Sequence, residues 1–432
     1  MPVPSRYNLL WRLGRPILPL VLAHRAWGGK EDWSRLEERF GRYAHRDDLP
    51  DAPIWIHAVS VGETVAGIAL VEALRAAGED APVLVTTNTV TAAGRVEALP
   101  SSLGVTHLYQ PLDHPDMVVG FLGRLRPRLA VFMESDFWPN LVTMTAAAGI
   151  PVAFVSSQLS DRAAARWQRQ AGMARSLFGA ADLVLAVDKV QADRLTALGA
   201  KPEAVRIGGS LKLPAAAAAP DDLLVSMLRD AAGTRRILLA ASTHEGEEAA
   251  VIDAAAQLGA DWFTIIAPRH PQRGGAVASL CRDRLGKGTG QIARRRGAGE
   301  APAADDSLYI VDTLGEMDSL FAVADIVFLG GSLVPRGGHN PVEPAAYGLP
   351  ILTGPHIFKN SAEFEALTAA GVVSGIHDAA SLARAASVLA GSSEQLAKID
   401  AAGRAHAAET GKRPAKAASL CLELLKGRVA RS

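Results

Sequence analysis

Apolar runs of strand length recur along most of this chain, each followed by a helix-like stretch. That alternation limits the fold more than any other feature. In the first half the runs are Ile54–Val59, Val83–Thr87, Val105–Tyr109, Leu129–Met133, Val152–Val155 and Leu183–Val187. In the second they are Arg236–Ala241, Trp262–Ala267, Ser307–Val311, Ile326–Leu329 and Pro350–Leu352. Strands that are apolar throughout, without polar alternation, belong to parallel sheets covered on both faces. Parallel neighbours need a crossover, and a helix is the usual one. The fold class expected is therefore α/β, with two doubly wound (Rossmann-like) parallel-sheet domains. A chain of 432 residues is too long for one core and fits that division. Ligands of such sheets bind at the carboxyl ends of the strands, so the chemistry is expected in a cleft that the two domains face.

The domain plan follows composition. Residues 1–30 are read as an N-terminal membrane-proximal segment and 31–213 as the first Rossmann-like domain. The Ala/Pro tract at 214–220 is a linker, 221–400 the second domain, and 401–432 a C-terminal helix with a basic tail. Gly286 to Asp306, rich in Gly, Arg and Ala, reads as a surface excursion. Lys plus Arg equals Asp plus Glu at 45 each, which argues against a nucleic-acid partner held by bulk charge. Cys281 and Cys421 lie far apart without metal-ligand spacing, so reduced thiols are expected. Leu9–Ala23 is apolar but broken by Arg12, Arg15, Pro16 and Pro19, short of the ~20 apolar residues of a spanning helix. It suits a segment lying in the headgroup region of a membrane, or a helix packed on the protein's own surface.

Gly330–Ala345 is the stretch hardest to explain as packing. Four glycines and two prolines separate a buried strand from the helix-forming run Glu343–Tyr347, which holds a third proline. Glycines let a backbone approach a ligand, and a helix start offers free amides to an anion. Glu343 would repel phosphate, but it could accept two hydrogen bonds from the vicinal hydroxyls of a ribose. A tight turn followed by an acid that complements the helix dipole is the plainer alternative. The reading preferred is a nucleotide site.

Other candidates follow strands too. Ser60-Val-Gly-Glu63 opens the helix after the first strand. Glu63 there could simply complement the helix dipole, but Gly62 implies a close approach and a second acid follows another strand. Glu134 and Asp136 stand at that strand's carboxyl end. Carboxylates facing one site raise each other's pKa, as a general base requires; Asp136 is read as a helix cap. Lys212, after Gly208-Gly-Ser-Leu, reads from composition as a solvated lysine, although it could neutralise a departing phosphate. Arg269, between Pro268 and His270-Pro271, is held stiffly for a phosphate contact. His270 could be a second donor or a loop histidine. Gly315-Glu316 could meet the base or sugar of a nucleotide, and Ser242–Glu248 opens a helix at the same edge. No metal is expected: there is no His-x-x-x-His, no Asp-x-Asp after a strand, and no Gly-x-x-x-x-Gly-Lys-Ser/Thr loop.

Taken in order, Arg35–Gly41, Ser60–Glu63, Glu134–Asn140, Gly209–Lys212, Pro268–Pro271, Asp312–Glu316 and Gly337–Pro344 resemble the 3-deoxy-D-manno-octulosonic acid (Kdo) transferases of lipopolysaccharide synthesis. The resemblance implies the GT-B glycosyltransferase fold, with an acceptor-binding first domain and a CMP-sugar-binding second domain. It implies transfer of Kdo, with anomeric inversion, from CMP-Kdo to a lipid A precursor of the tetraacyl (lipid IVA) type. The reaction would run at the cytoplasmic face of the inner membrane, with no metal and no cofactor beyond the donor. It casts Glu63 as the general base and Glu134 and Lys212 as stabilisers of the transition state. It lays CMP on Pro268, Arg269 and His270, on Leu314, Gly315 and Glu316, and on Asn340, Pro341, Val342 and Glu343. The sequence departs from the family at Ser156–Ser160, where Gln158 replaces a usual arginine, which leaves acceptor detail open. Rival readings are another GT-B nucleotide-sugar transferase or epimerase, and a non-catalytic nucleotide-binding protein at the membrane.

Overall fold

In a computed structural model the residues described are 5–212, 219–285 and 293–429. They form two compact units: Met1–Leu213 together with Lys412–Ser432, and Pro214–Gly411. In the first unit seven strands make one parallel sheet: β1 (Ile54–His57), β2 (Val83–Thr87), β3 (Val105–Tyr109), β4 (Leu129–Met133), β5 (Val152–Ser157), β6 (Leu183–Ala186) and β7 (Val205–Ile207). They lie in the order β3-β2-β1-β4-β5-β6-β7. The chain winds outward in one direction from β1 and resumes in the other from β4, so the gap above β1 and β4 is the switch point where such sheets take ligands. Ile54 pairs with Leu129 and His57 with Phe132, which ends the two strands level.

The second unit repeats the plan with β8 (Arg236–Thr243), β9 (Trp262–Pro268), β10 (Arg294–Arg295), β11 (Leu308–Ile310), β12 (Ile326–Leu329), β13 (Ile351–Thr353) and β14 (Val373–Gly375). Its order is β10-β11-β9-β8-β12-β13-β14, which puts the switch point between β8 and β12. The central strands of both sheets are buried, save Arg236 and Ser242 near the ends of β8, as continuous apolar runs require. In the first unit the core is aromatic, with Trp55 packed 4.7 Å from Phe121 and 5.1 Å from Phe132 between ring centroids.

Three strands have no counterpart in the sequence reading. β7, β10 and β14 are short outermost strands, and β10 is two arginines. Edge strands need no apolar run, because one side faces no neighbour and brevity and charge discourage further pairing. Most of the expected linker, 214–218 of 214–220, lies outside the described residues, as do 286–292 of the Gly/Arg-rich excursion. The rest of that excursion is tied down, Arg295 donating to Asp312 at 2.6 Å.

The stretch 401–432, expected as one helix and a tail, is divided between the units. Helix Ser393–Gly411 belongs to the second unit and helix Arg413–Val429 to the first. Ala417, Ala418, Cys421 and Leu425 bury their side chains in the core that Ala66, Leu70 and Leu74 build. An alanine-rich face allows that close approach. Both cysteines are free and buried.

At the other terminus, helices Ser5–Gly14 and Leu18–Trp27 are docked on the first unit by Leu22 and Ala26. Tyr7 Oη donates to Asp113 Oδ2 at 2.7 Å and Arg15 Nη1 to Asp116 Oδ2 at 3.0 Å. Their outer face leaves Leu10 70% and Leu20 72% exposed. No helix among the described residues is long and apolar enough to cross a membrane.

Candidate active site

At the first switch point, the chain leaving β1 turns at Ser60 into helix Val61–Ala76 through a capping box. Ser60 Oγ accepts the Glu63 amide at 3.4 Å, while Glu63 Oε2 accepts the amides of Val59 and Ser60, both at 2.8 Å. One carboxylate oxygen is therefore fixed by backbone; Oε1 accepts no hydrogen bond among the described residues. Burial pushes the Glu63 carboxyl above the usual glutamate range, and the negative fields of Glu134 and Asp136 add to that. The capping amide and His57 pull the other way. A fixed, proton-avid carboxylate is what a general base needs.

Glu134 follows β4 with φ of 55°, a left-handed conformation that costs a non-glycine residue energy and is met most often at functional sites. Its amide is held by the Val155 carbonyl at 2.9 Å, which locks the bend against β5. Lys212 Nζ donates to Glu134 Oε2 at 2.7 Å, and Gln158 Nε2 reaches the same oxygen at 3.4 Å. Glu134 Oε1 is buried without a hydrogen-bond partner among the described residues. The Lys212 stem passes over Gly62, where an added Cβ would stand 3.1 Å from its Cε. That contact gives the glycine before Glu63 its reason: a side chain there would crowd the lysine and shift its Nζ. The structure thus brings Glu63, Glu134 and Lys212 together around one switch point. Gln158, the departure from the family pattern, touches Glu134.

Asp136 is not the helix cap read from the sequence. The next helix, Pro139–Ala147, has Trp138 at its N-cap without a side-chain cap. Asp136 Oδ2 instead accepts from Trp138 Nε1 at 2.7 Å and lies 3.0 Å from His57 Nε2. Because that oxygen already accepts the indole proton, His57 must donate from Nε2. Its Nδ1 lies 2.8 Å from Thr86 Oγ1, which accepts from Trp55 Nε1 at 2.8 Å. The cap is supplied by Asp113, which accepts the amides of Asn140 at 3.0 Å and Leu141 at 2.7 Å. Burial raises its carboxyl to about 7. Beside this loop is a cavity of about 320 Å³, lined by Tyr7, Asp136, Trp138, Arg166 and Trp167 among others.

At the second switch point the elements after β8, β9 and β12 converge. Pro268 ends β9, and the exposed Arg269 and His270 follow it. Asn340 Oδ1 accepts the Val342 amide at 3.1 Å, opening the short helix Val342–Ala346. Burial raises the Glu343 carboxyl, as does Asp318, while Arg269 and a hydrogen bond from Asn340 lower it. Pro341 and Val342 are buried under this turn. Leu314 is exposed beyond β11, next to Gly315 at φ of 83°. Glu316 accepts from Thr313 Oγ1, and from Arg296 Nε at 2.6 Å. Its carboxylate is thus occupied by partners of its own.

Three residues of this edge escaped the sequence reading as site residues. Glu247 accepts four backbone amides: His244 and Gly331 on Oε2 at 2.9 and 2.7 Å, Ser332 and Leu333 on Oε1, both at 2.9 Å. It pins the glycine-rich loop to the chain leaving β8. His244 and His339 face each other with Nε2 atoms 3.0 Å apart. The polar run Ser242–Glu248 carried a signal, but a partner 95 positions away has none in a single sequence. Among the described residues no group of three His, Cys, Asp or Glu is arranged to hold a metal ion.

Residues 34–215 match the profile of a family described as 3-deoxy-D-manno-octulosonic-acid transferase (kdotransferase). A 3-deoxy-D-manno-octulosonic acid transferase of Haemophilus influenzae is 34% identical over 85% of this chain and 86% of its own. One of Bordetella pertussis is 36% identical over 82% and 83%. In fold the chain is similar to a glycosyltransferase of Rickettsia africae, with a TM-score of 0.59 at 12% identity over 87% of this chain and 100% of that one. With Glu63, Glu134 and Lys212 gathered at one switch point and the loops after β8, β9 and β12 converging at the other, the sequence and the fold agree: this chain belongs to the 3-deoxy-D-manno-octulosonic acid (Kdo) transferase family and has the two-sheet GT-B fold.

Proposed function

We propose that this chain transfers Kdo from CMP-Kdo to a hydroxyl of a lipid A precursor of the tetraacyl-disaccharide (lipid IVA) type. The observation that carries it is the Glu63 carboxylate, with one oxygen bound by two amides and the other unbonded, beside the Glu134–Lys212 pair. In this reading Oε1 takes the hydroxyl proton as the acceptor oxygen attacks the anomeric carbon. The bond from that carbon to the donor phosphate breaks, and CMP leaves with the electron pair. Lys212, held by Glu134, offsets charge developing on the reacting sugar or the departing phosphate. In the second unit Arg269 and His270 suit the phosphate, and Glu343, kept in place by Asn340, suits the ribose diol. Chemistry of this kind asks for no cofactor.

Membrane attachment fits the same reading. The outer face of the N-terminal helices combines exposed Leu10, Leu13, Leu20 and Trp27 with exposed Arg6, Arg12 and Arg15. That composition suits peripheral binding to an anionic leaflet, the cytoplasmic face of an inner membrane. The cavity beside Tyr7 and Trp138 would seat part of the acceptor. The test is mass spectrometry of a tetraacyl disaccharide incubated with the protein and CMP-Kdo, with UDP-sugars in parallel. A mass gain of one or more Kdo units with CMP-Kdo alone is expected. Transfer from a UDP-sugar, or none from CMP-Kdo, would overturn the reading.

A further inference from the structure

The edge that this reading gives to the nucleotide holds a pair of histidines that no step has used. The rings of His244 and His339 are parallel to within 2° with centroids 5.2 Å apart, and their Nε2 atoms lie 3.0 Å from each other. A contact that short between two ring nitrogens is a hydrogen bond, so one nitrogen carries a proton and the other a lone pair. The pair can exist as two neutral rings or as one cation sharing a proton, never as two cations. His270 stands edge-on to His244 at 5.7 Å. Gly331 lies under the His339 ring, where a Cβ would come within 3.3 Å of Cδ2.

Permanent cations surround this pair. Arg269 and Lys359 act on His339, and Arg269 and Arg336 on His244. Among the described residues Glu247 is the acid that acts on His244, and backbone amides occupy both its oxygens. Burial, then those cations, push the His339 imidazole down to about 4 and His244 below its usual range. Both shifts favour the neutral form of the pair at neutral pH. Arg269 acts electrostatically on both histidines and on Glu343, so the three groups lie within the field of one guanidinium.

We propose that His244 and His339, together with Arg269, form the recognition site for the phosphate of the nucleotide donor, and that the imidazole pair takes up one proton from solvent when the phosphate arrives. The proposal rests on the donor reading above. An anion beside the pair favours its cationic form, so binding and protonation reinforce each other, and affinity rises as pH falls.

Calorimetry of CMP and of cytidine on the full chain, in buffers of different ionisation enthalpy from about pH 5.5 to about pH 8.5, tests it. The wild type is expected to bind CMP with net uptake of close to one proton. His339→Asn and His244→Asn should each bind CMP about tenfold more weakly and lose most of that uptake. Both should bind cytidine as the wild type does, which also reports that the pocket is folded. Unchanged CMP affinity and proton uptake in both variants would overturn the inference alone. So would an equal loss of cytidine, since the pair would then not act through phosphate. A wild type that binds no CMP would overturn the donor reading and this inference with it.

Discussion

Glu63 divides two tasks between its two oxygens. Oε2 closes a helix cap and Oε1 is left for a proton, so the residue proposed as the base is positioned by the start of its own helix. Its raised pKa has a kinetic consequence. A base works only when ionised, so the rate should fall as pH drops through the Glu63 pKa. Because burial raises that pKa, the acid limb of kcat/KM should lie above the ordinary glutamate value of about 4.3. A pH–rate profile whose acid limb stays at or below that value would contradict the assignment. Glu63 and Glu134 were legible because each follows an apolar run at a strand's carboxyl end. Lys212 was legible only through the family resemblance, since by composition a lysine after two glycines reads as solvated; its ion pair is with Glu134. Asp136 misled for a similar reason: an acid just before a helix start resembles a cap, but the cap comes from Asp113, 27 positions away from Asn140.

Among the elements, central strands were readable because burial on both faces leaves only apolar residues. The edge strands β7, β10 and β14 were not, since they meet no such demand. The N-terminal helices show why a segment could be read both ways: one face packs on the protein through Leu22 and Ala26, and the other stays apolar and exposed. If that face enters a leaflet, replacing Leu10 and Leu20 removes apolar area worth about 1.5–3 kcal/mol per side chain at full burial. The double variant Leu10→Glu with Leu20→Glu should therefore bind anionic vesicles at least about tenfold less tightly in a sedimentation assay. Equal binding by both proteins would place the membrane contact elsewhere. Thermal unfolding should be unchanged, since both side chains are exposed.

For the whole chain, the two units are not two consecutive stretches. Helix Arg413–Val429 returns to the first unit and covers helix Val61–Ala76, the one that carries Glu63. Composition could not show this, because an alanine-rich helix suits either partner. Cys421 lies inside that contact and Cys281 in the core of the second unit, and burial pushes both thiols up to about 12. A native protein should label at neither. Ala418→Asp would bury a carboxylate without a partner, a cost of several kcal/mol, and should undock the helix. Mass spectrometry of thiol labels should then find Cys421 modified and Cys281 protected. Equal protection of both would mean that the helix holds by contacts beyond this face.

The central claim is that Glu63 accepts the proton while the donor is held elsewhere in the chain. The most direct test pairs two measurements on Glu63→Gln: turnover of CMP-Kdo with a tetraacyl disaccharide, and CMP affinity by calorimetry. The expected result is kcat lower by about 10²–10⁴-fold with CMP affinity unchanged, as for removal of a general base. Near-normal turnover, or a parallel loss of CMP binding, would contradict the account.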